Sequence, residues 1–251
     1  MSTSDHSASF SWAEILIDIE KGVELTPGKA TWAMESILSG EASAIVMAGF
    51  LTAMRTKGET SSEMTSFAKV MADFGRVVEV AQPVIDTCGT GGDRSHTINV
   101  STTAALIVAG AGGLVCKHGG RASSSMSGSA DVLEALGVVI DLDEEGVRYC
   151  LDTARIGFCF APIFHPAMAN VVPVRRELKV PTLFNFLGPL VNPARATRQI
   201  VGVSDPQMAD ALIGVLSELG STHAMVVWGD DGLDELTTTA PSNVVELVRD
   251  E

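Results

Sequence analysis

The chain has 251 residues, 46% of them hydrophobic, and 31 acidic against 17 basic side chains give a formal charge of −14. That length and apolarity allow one large core or two small ones. The negative field repels nucleic acid and anionic membrane, so neither is expected as a general partner. Cys88, Cys116, Cys150 and Cys159 are dispersed with no C-x-x-C pair, which leaves zinc and dithiol chemistry unsupported and fits a reduced, cytoplasmic setting.

Met1 to Ser9 is polar and reads as disordered, without the charged start and apolar run of a signal peptide. Up to about Val78 the pattern is all-helical. Trp12 to Glu20 is a short amphipathic helix. Thr26-Pro27 opens a second helix, with Thr as N-cap and Pro in the first turn, and Ser39-Gly40 stops it after Leu38. Glu41 to Thr56 reads as a third helix, apolar on several faces. Thr60-Ser61-Ser62-Glu63 is a capping box for a fourth that ends near Phe74-Gly75. Helices this apolar in a small bundle suggest a face buried in a homodimer.

From Pro83 the pattern alternates. Val84 to Asp86 reads as a strand, Ser101 to Ala111 as a helix and Gly113 to Lys117 as a strand. Ala104 to Val115 is too short and Gly-rich for a membrane span. Ser129 to Leu136 is predicted helical, Val138 to Asp141 a strand, Asp143 to Ala154 a helix and Gly157 to Phe160 a strand. His165 to Leu178 reads as a helix, and Gly188 to Pro193 as a rigid loop crossing between domains. Gln199 to Val203 and Ala224 to Trp228 are strands around a helix from Pro206 to Leu219, and Val244 to Val248 is strand-like. Such alternation predicts an α/β fold with a mainly parallel sheet and ligands at the strand C-terminal ends. The expected domains are 1–78, helical, with 165–190 returning to it, and 79–164 with 191–251, α/β.

Two glycine-rich turns carry the chemistry. The first is Gly89-Thr90-Gly91-Gly92-Asp93, followed by Thr97 and by Asn99-Val100-Ser101-Thr102 at a helix start. The turn alone is equally a plain tight turn, and Asn99 to Thr102 are equally simple N-caps. Together they place free N–H groups, hydroxyls and a helix dipole where an anion is stabilised. The second turn is Lys117-His118-Gly119-Gly120-Arg121, then Ala122, Ser123, Ser124, Ser125 and Ser129. A cation at the end of an apolar strand points to a ligand; His118 is either packed or in contact with it. The serine run is either a linker or a loop over phosphates. Asp234-Glu235 are either solvated acids or hard oxygen ligands for Mg²⁺. Of Arg175 and Arg176, one offers a bidentate fork to a carboxylate, and Arg176 is expected in a surface ion pair.

These residues resemble the anthranilate phosphoribosyltransferase family. The resemblance is carried by Gly89 to Asp93, Asn99 to Thr102, Lys117-His118-Gly119, Ser127 to Gly137, His165-Pro166-Ala167-Met168, Pro173 to Leu178, Phe184-Asn185, Leu187 to Leu190, Asn192-Pro193 and Gly232 to Leu236, in family order over nearly the whole chain. It implies a small helical domain beside a larger α/β domain, with the site in the cleft. It also implies transfer of phosphoribosyl from phosphoribosyl pyrophosphate to anthranilate. By that resemblance Gly89, Gly92, Asp93, Thr97, Asn99, Val100, Ser101, Thr102, Lys117, His118, Gly119, Gly120, Arg121, Ala122, Ser123, Ser124, Ser125 and Ser129 bind the donor. Gly89, Gly120 and Arg175 face anthranilate, and Ser101, Asp234 and Glu235 hold two Mg²⁺ ions. No acid or base is assigned; Lys117 and metal stabilise charge.

Two departures stand out. Gly120 occupies the position of the family's acceptor-contacting Asn. Family members also continue past Glu251, so part of the α/β domain is expected to be absent and apolar surface exposed. Two other readings share the scaffold. A nucleic-acid-binding relative is opposed by the charge of −14. A pyrimidine nucleoside phosphorylase has a different phosphate motif and leaves Asp234-Glu235 unexplained.

Overall fold

The computed structural model describes residues 10–93, 95, 97–122 and 127–249. The expectations for Met1 to Ser9 and for Ser123, Ser124 and Ser125 lie outside them. The chain opens with α1 (Trp12–Glu20), α2 (Pro27–Leu38), α3 (Ala44–Lys57) and α4 (Ser61–Asp73). Ser11, Thr26, Ser43 and Thr60 are their N-caps, each in extended backbone and each accepting the amide three residues on. The cap at Ser43 starts α3 later than the predicted Glu41. Glu63 completes the expected capping box. Fully buried, it also accepts the Leu25 amide and the Lys57 ammonium, each at 2.8 Å. An aromatic ladder fills the bundle: Trp12 lies 5.3 Å from Trp32 and 5.5 Å from Phe50, which meets Phe67 at 6.0 Å.

The α/β part follows as β1 (Ile85–Gly89), α5 (Val100–Gly110), β2 (Val115–Gly119), α6 (Ser129–Ala135), α7 (Glu144–Ala154), β3 (Ile156–Phe160), α8 (Ala161–Phe164), α9 (Val172–Leu178), α10 (Leu183–Leu187), β4 (Arg198–Gly202), α11 (Ala209–Glu218), β5 (His223–Gly229) and β6 (Ser242–Val248). The sheet order is β3-β2-β1-β4-β5-β6. All neighbours run parallel except β5 and β6. Strand order reverses between β1 and β4, so the crevice outside their C-terminal ends is where an open sheet offers room to a ligand.

The bundle rests on one face of the sheet. Its core continues without a break into Val201, Val203, Ala224, Val226 and the buried side of α11. Arg55 of α3 reaches Asp205 past the end of β4 at 3.1 Å. Elsewhere Leu106 and Ile107 of α5, and Val244 and Val248 of β6, stand exposed.

Four predicted elements need correction. Val138 to Asp141 forms no strand; Ile140 serves instead as a packing residue against Ala130, Leu133 and Phe158. His165 to Leu178 is not one helix but a 3-10 turn at Pro166–Asn170 followed by α9, because Pro166 and Pro173 each start a new segment. The helix from Pro206 likewise begins as a 3-10 turn before α11. β2 spans Val115–Gly119, two residues later than the predicted Gly113 to Lys117, so His118 joins Lys117 as a strand residue.

Candidate active site

The C-terminal ends of β1 and β2 and the start of α5 enclose a cleft of about 240 Å³. The turn leaving β1 needs glycine: Gly91 and Gly92 have φ of 66° and 94°, where a side chain is strained. Its backbone is held from two sides. The Gly91 amide donates to Asp234 Oδ2 at 2.9 Å, and Ser204 Oγ donates to the Gly91 carbonyl at 2.7 Å. Gly89 admits the acidic pair closely, since a Cβ there would lie 2.9 Å from Asp234 Oδ2. Ser95 donates to Asp93 beside it.

Asn99 does cap α5, accepting the Thr102 amide at 3.0 Å. The next turn brings Ser101 to the cleft, its carbonyl taking the Thr87 hydroxyl at 2.7 Å. Lys117 enters from β2, and although only 2% exposed it lines the cleft. Its Nζ donates to the Thr87 carbonyl at 2.5 Å and lies 3.4 Å from Ser101 Oγ. Burial lowers its pKa, opposed by Asp86, Cys88 and Glu235. Across the cleft, burial and the Asp234 charge push the Glu235 carboxyl up to about 7, while Lys117 pulls it down. Burial and Asp93 raise Asp234 to about 6, against the Gly91 amide. One buried ammonium thus faces carboxylates that lack enough positive charge to stay ionised easily. His118 is pushed down to about 3 by burial and by His165, whose ring is 4.9 Å away; burial takes His165 to about 4. Both rings are neutral at pH 7.

The structure brings most expected residues together: Gly89, Gly92, Asp93, Thr97, Asn99, Val100, Ser101, Lys117, His118, Gly119, Gly120, Arg121, Ala122, Ser129, Asp234 and Glu235 all line this cleft. It does not bring Thr102, which is buried at 2% exposure and absent from the cleft wall. Nor does it bring Arg175, whose Nη2 donates to Asn185 at 3.1 Å. Arg121 reaches only the rim. Its guanidinium is committed to Asp131 at 2.9 Å and to Glu134 at 2.8 and 3.1 Å, so its charge is neutralised by α6. Cys88, Thr90, Gly91, Ser95, Ile98, Ser127 and Gly128 also line the cleft. Sequence reasoning gave none of them a role of its own, although Thr90 and Gly91 sit inside the first turn and Ser127 and Gly128 inside the serine run it singled out. Among the described residues no three His, Cys, Asp or Glu side chains form a closed metal site. Ser101, Asp234 and Glu235 are an open set of hard oxygens, suited to a cation that takes its remaining ligands from water or substrate.

Residues 13–75 match the model of the glycosyl transferase family helical bundle domain, and residues 81–251 that of the same family's a/b domain. An anthranilate phosphoribosyltransferase of Chloroflexus aggregans is 54% identical over 89% of this chain and 66% of its own length. That of Roseiflexus castenholzii is 53% identical over 92% and 68%. The chain therefore spans about two thirds of the length of the curated relatives it matches. The crystal structure of the Thermus thermophilus enzyme superposes with a TM-score of 0.87 at 41% identity, covering 92% of this chain and 70% of that one. The Saccharomyces cerevisiae enzyme in complex with PRPP and Mg superposes at 0.86 with 29% identity, covering 96% and 74%. By sequence, by domain order and by fold, the chain belongs to the anthranilate phosphoribosyltransferase family.

Proposed function

We propose that the cleft moves the phosphoribosyl group of phosphoribosyl pyrophosphate to the amine of anthranilate, releasing pyrophosphate. The observation that carries this is the buried Lys117 between the Gly89–Asp93 turn and the Asp234-Glu235 pair. A yeast relative in complex with PRPP and Mg and another in complex with 4-fluoroanthranilate support it. The donor's anionic end fits the turn amides, Asn99, Ser101 and Lys117. Ser101, Asp234 and Glu235 suit Mg²⁺, two ions in this reading. The raised pKa values of the two carboxyls support it, since burial outweighs the pull of Lys117 on Glu235 and no cation pulls on Asp234. Bound Mg²⁺ supplies charge neutralisation for the departing pyrophosphate.

The arylamine is a neutral nucleophile at pH 7 and needs no strong base. The chain's own task is to stabilise charge that grows on the leaving group. Lys117, held by the Thr87 carbonyl and only 2% exposed, is preorganised for it. His118 and His165, neutral in this pH range, shape the wall without adding charge. On the acceptor side, a Cβ at Gly120 would meet only Ala161, at 3.9 Å. The backbone therefore leaves room for a Cβ there. The bond to Asn185 takes one of the five N–H donors of Arg175, and the acceptor carboxylate takes others in this reading.

The division near residue 78, with 165–190 returning to the helices, is part of the proposal; the two matched spans support the division, and Val171, Val174, Leu183 and Leu187 in the bundle's core support the return. So is a homodimer through the bundle, supported by Ile45 of α3, 85% exposed, and Ile17 of α1, 46% exposed. A cytoplasmic site of action is supported by four free cysteines. No helix among the described residues is long and apolar enough to cross a membrane.

The test is the loss of anthranilate fluorescence with phosphoribosyl pyrophosphate and Mg²⁺, measured on this chain and on Gly120→Asn. Turnover by either supports the assignment. No loss in both sinks it for this chain.

A further inference from the structure

Parallel strands normally satisfy one another's backbone along their whole length. β1 and β2 are in register at Ile85 and Val115, whereas β2 and β3 pair from Val115 through to Gly119. Towards the cleft, side chains take over the bonds to the backbone of β1 and β2. The His118 amide donates to Asp86 Oδ1 at 3.1 Å. The Cys116 carbonyl accepts from Asn192 Nδ2 at 2.8 Å, and the same nitrogen donates to Asp86 Oδ2 at 2.7 Å. The Thr87 carbonyl takes the Lys117 ammonium. Asp86 is fully buried and Asn192 is 7% exposed. Asn192 is itself fixed, its Oδ1 accepting the Ala194 amide at 2.8 Å.

A carboxylate in that position is costly unless each oxygen has a donor. Here both do, and each donor belongs to a different element. Packing does not demand an acid in a sheet interior; bridging a gap between two strands does. We infer that Asp86, with Asn192, is a positioning pair that sets how far β2 stands from β1 and so where Lys117 presents its ammonium. Neither residue lines the donor cleft, so both act through Lys117 and His118. The inference rests on the reading of the cleft as the donor site.

Asp86→Asn keeps the shape but replaces one acceptor by an NH₂ that opposes either the His118 amide or the Asn192 amide. Asn192→Ala removes the bridge from the loop side, leaving Asp86 Oδ2 and the Cys116 carbonyl without their shared donor.

The experiment is calorimetric titration of the full chain and both variants with phosphoribosyl pyrophosphate in Mg²⁺, beside thermal melts and hydrogen exchange at the His118 amide. Donor affinity should fall roughly tenfold to a hundredfold in Asp86→Asn, as expected when a buried donor loses its partner. Exchange at the His118 amide should be faster in the same variant, and Asn192→Ala should shift affinity and exchange in the same directions. Unchanged donor affinity or unchanged His118 exchange in a folded Asp86→Asn or a folded Asn192→Ala overturns the inference. A merely structural role would lower the melting temperature of both variants and leave the donor affinity of the folded protein where it was. Should Asp86→Asn fail to fold, Asn192→Ala alone decides. If the unaltered chain does not bind the donor, the functional reading fails. The bridge is then judged on the exchange of the His118 amide alone.

Discussion

Arg175 and Glu235 show how a single side chain can be right for its chemistry and still lie in wait. Arg175 is held by Asn185 outside the donor cleft. If it grips the acceptor, Arg175→Ala should raise the KM for anthranilate about tenfold or more while leaving that for the donor nearly unchanged, the loss of a charged hydrogen bond. Steady-state kinetics with each substrate varied in turn checks this, and equal effects on both remove Arg175 from its role. Glu235 carries the opposite tension. Its folded pKa, raised to about 7 from an ordinary 4.5, means that the folded state binds the extra proton between those values. Its charge therefore weakens the fold as pH rises through that window. In metal-free buffer at pH 8, Glu235→Gln should melt higher by about 4 °C, for about 2 kcal/mol of relieved burial. The gain should vanish at pH 4, and Mg²⁺ should stabilise the parent more than the variant. The glycine turn, Ser101 and Lys117 were legible because residue type and order suffice to announce an anion cradle. The commitment of Arg121 to Asp131 and Glu134 was not, since two acids on the next helix look like ordinary solvated residues until the helix is placed.

At the scale of elements, α4 is tied down by one glutamate that serves three masters. Glu63 accepts from its own N-cap amide at 3.0 Å, from Leu25 before α2, and from Lys57 at the end of α3. The capping half was readable from Thr60-x-x-Glu63, because it is local. The reach to Leu25 crosses 38 residues and leaves no trace in the spacing. Lys57→Met should cost about 3 kcal/mol, since it leaves Glu63, with no exposed side-chain area, as an unpaired buried charge. Denaturant unfolding measures it. A loss under about 1 kcal/mol, the range of surface pairs, would show that the ion pair is incidental. The stretch from His165 to Leu178 shows the reverse case. Its apolar spacing suited one helix, and two prolines divide it. Val138 to Asp141 had the composition of a strand, but it packs Ile140 against Ala130, Leu133 and Phe158 and leaves β3 as the edge of the sheet.

Across the whole molecule, two sets of buried groups oppose each other in acid. His118 and His165, with folded values of about 3 and 4 against an ordinary 6.5, contribute stability that is complete above about pH 6.5. It is lost as pH falls towards those values. Asp234 and Glu235, raised to about 6 and 7, regain stability over much of the same descent. The melting temperature of the metal-free chain should change little from pH 7 to 5. In Asp234→Asn/Glu235→Gln it should drop by several degrees over that interval, because the histidine contribution is then unopposed; a flat profile in the double variant would falsify the balance.

The aromatic ladder of the bundle has one more consequence, an optical one. The chain has three tryptophans. Trp12 and Trp32 meet within the bundle, while Trp228 sits in β5, near the end of the strand that leads to Asp234. Their emission is thus divided between the two parts of the chain. With Trp12→Phe and Trp32→Phe, indole fluorescence becomes a private channel for the sheet. Its change on adding donor, set against that of Trp228→Phe, would show by light alone which part responds first.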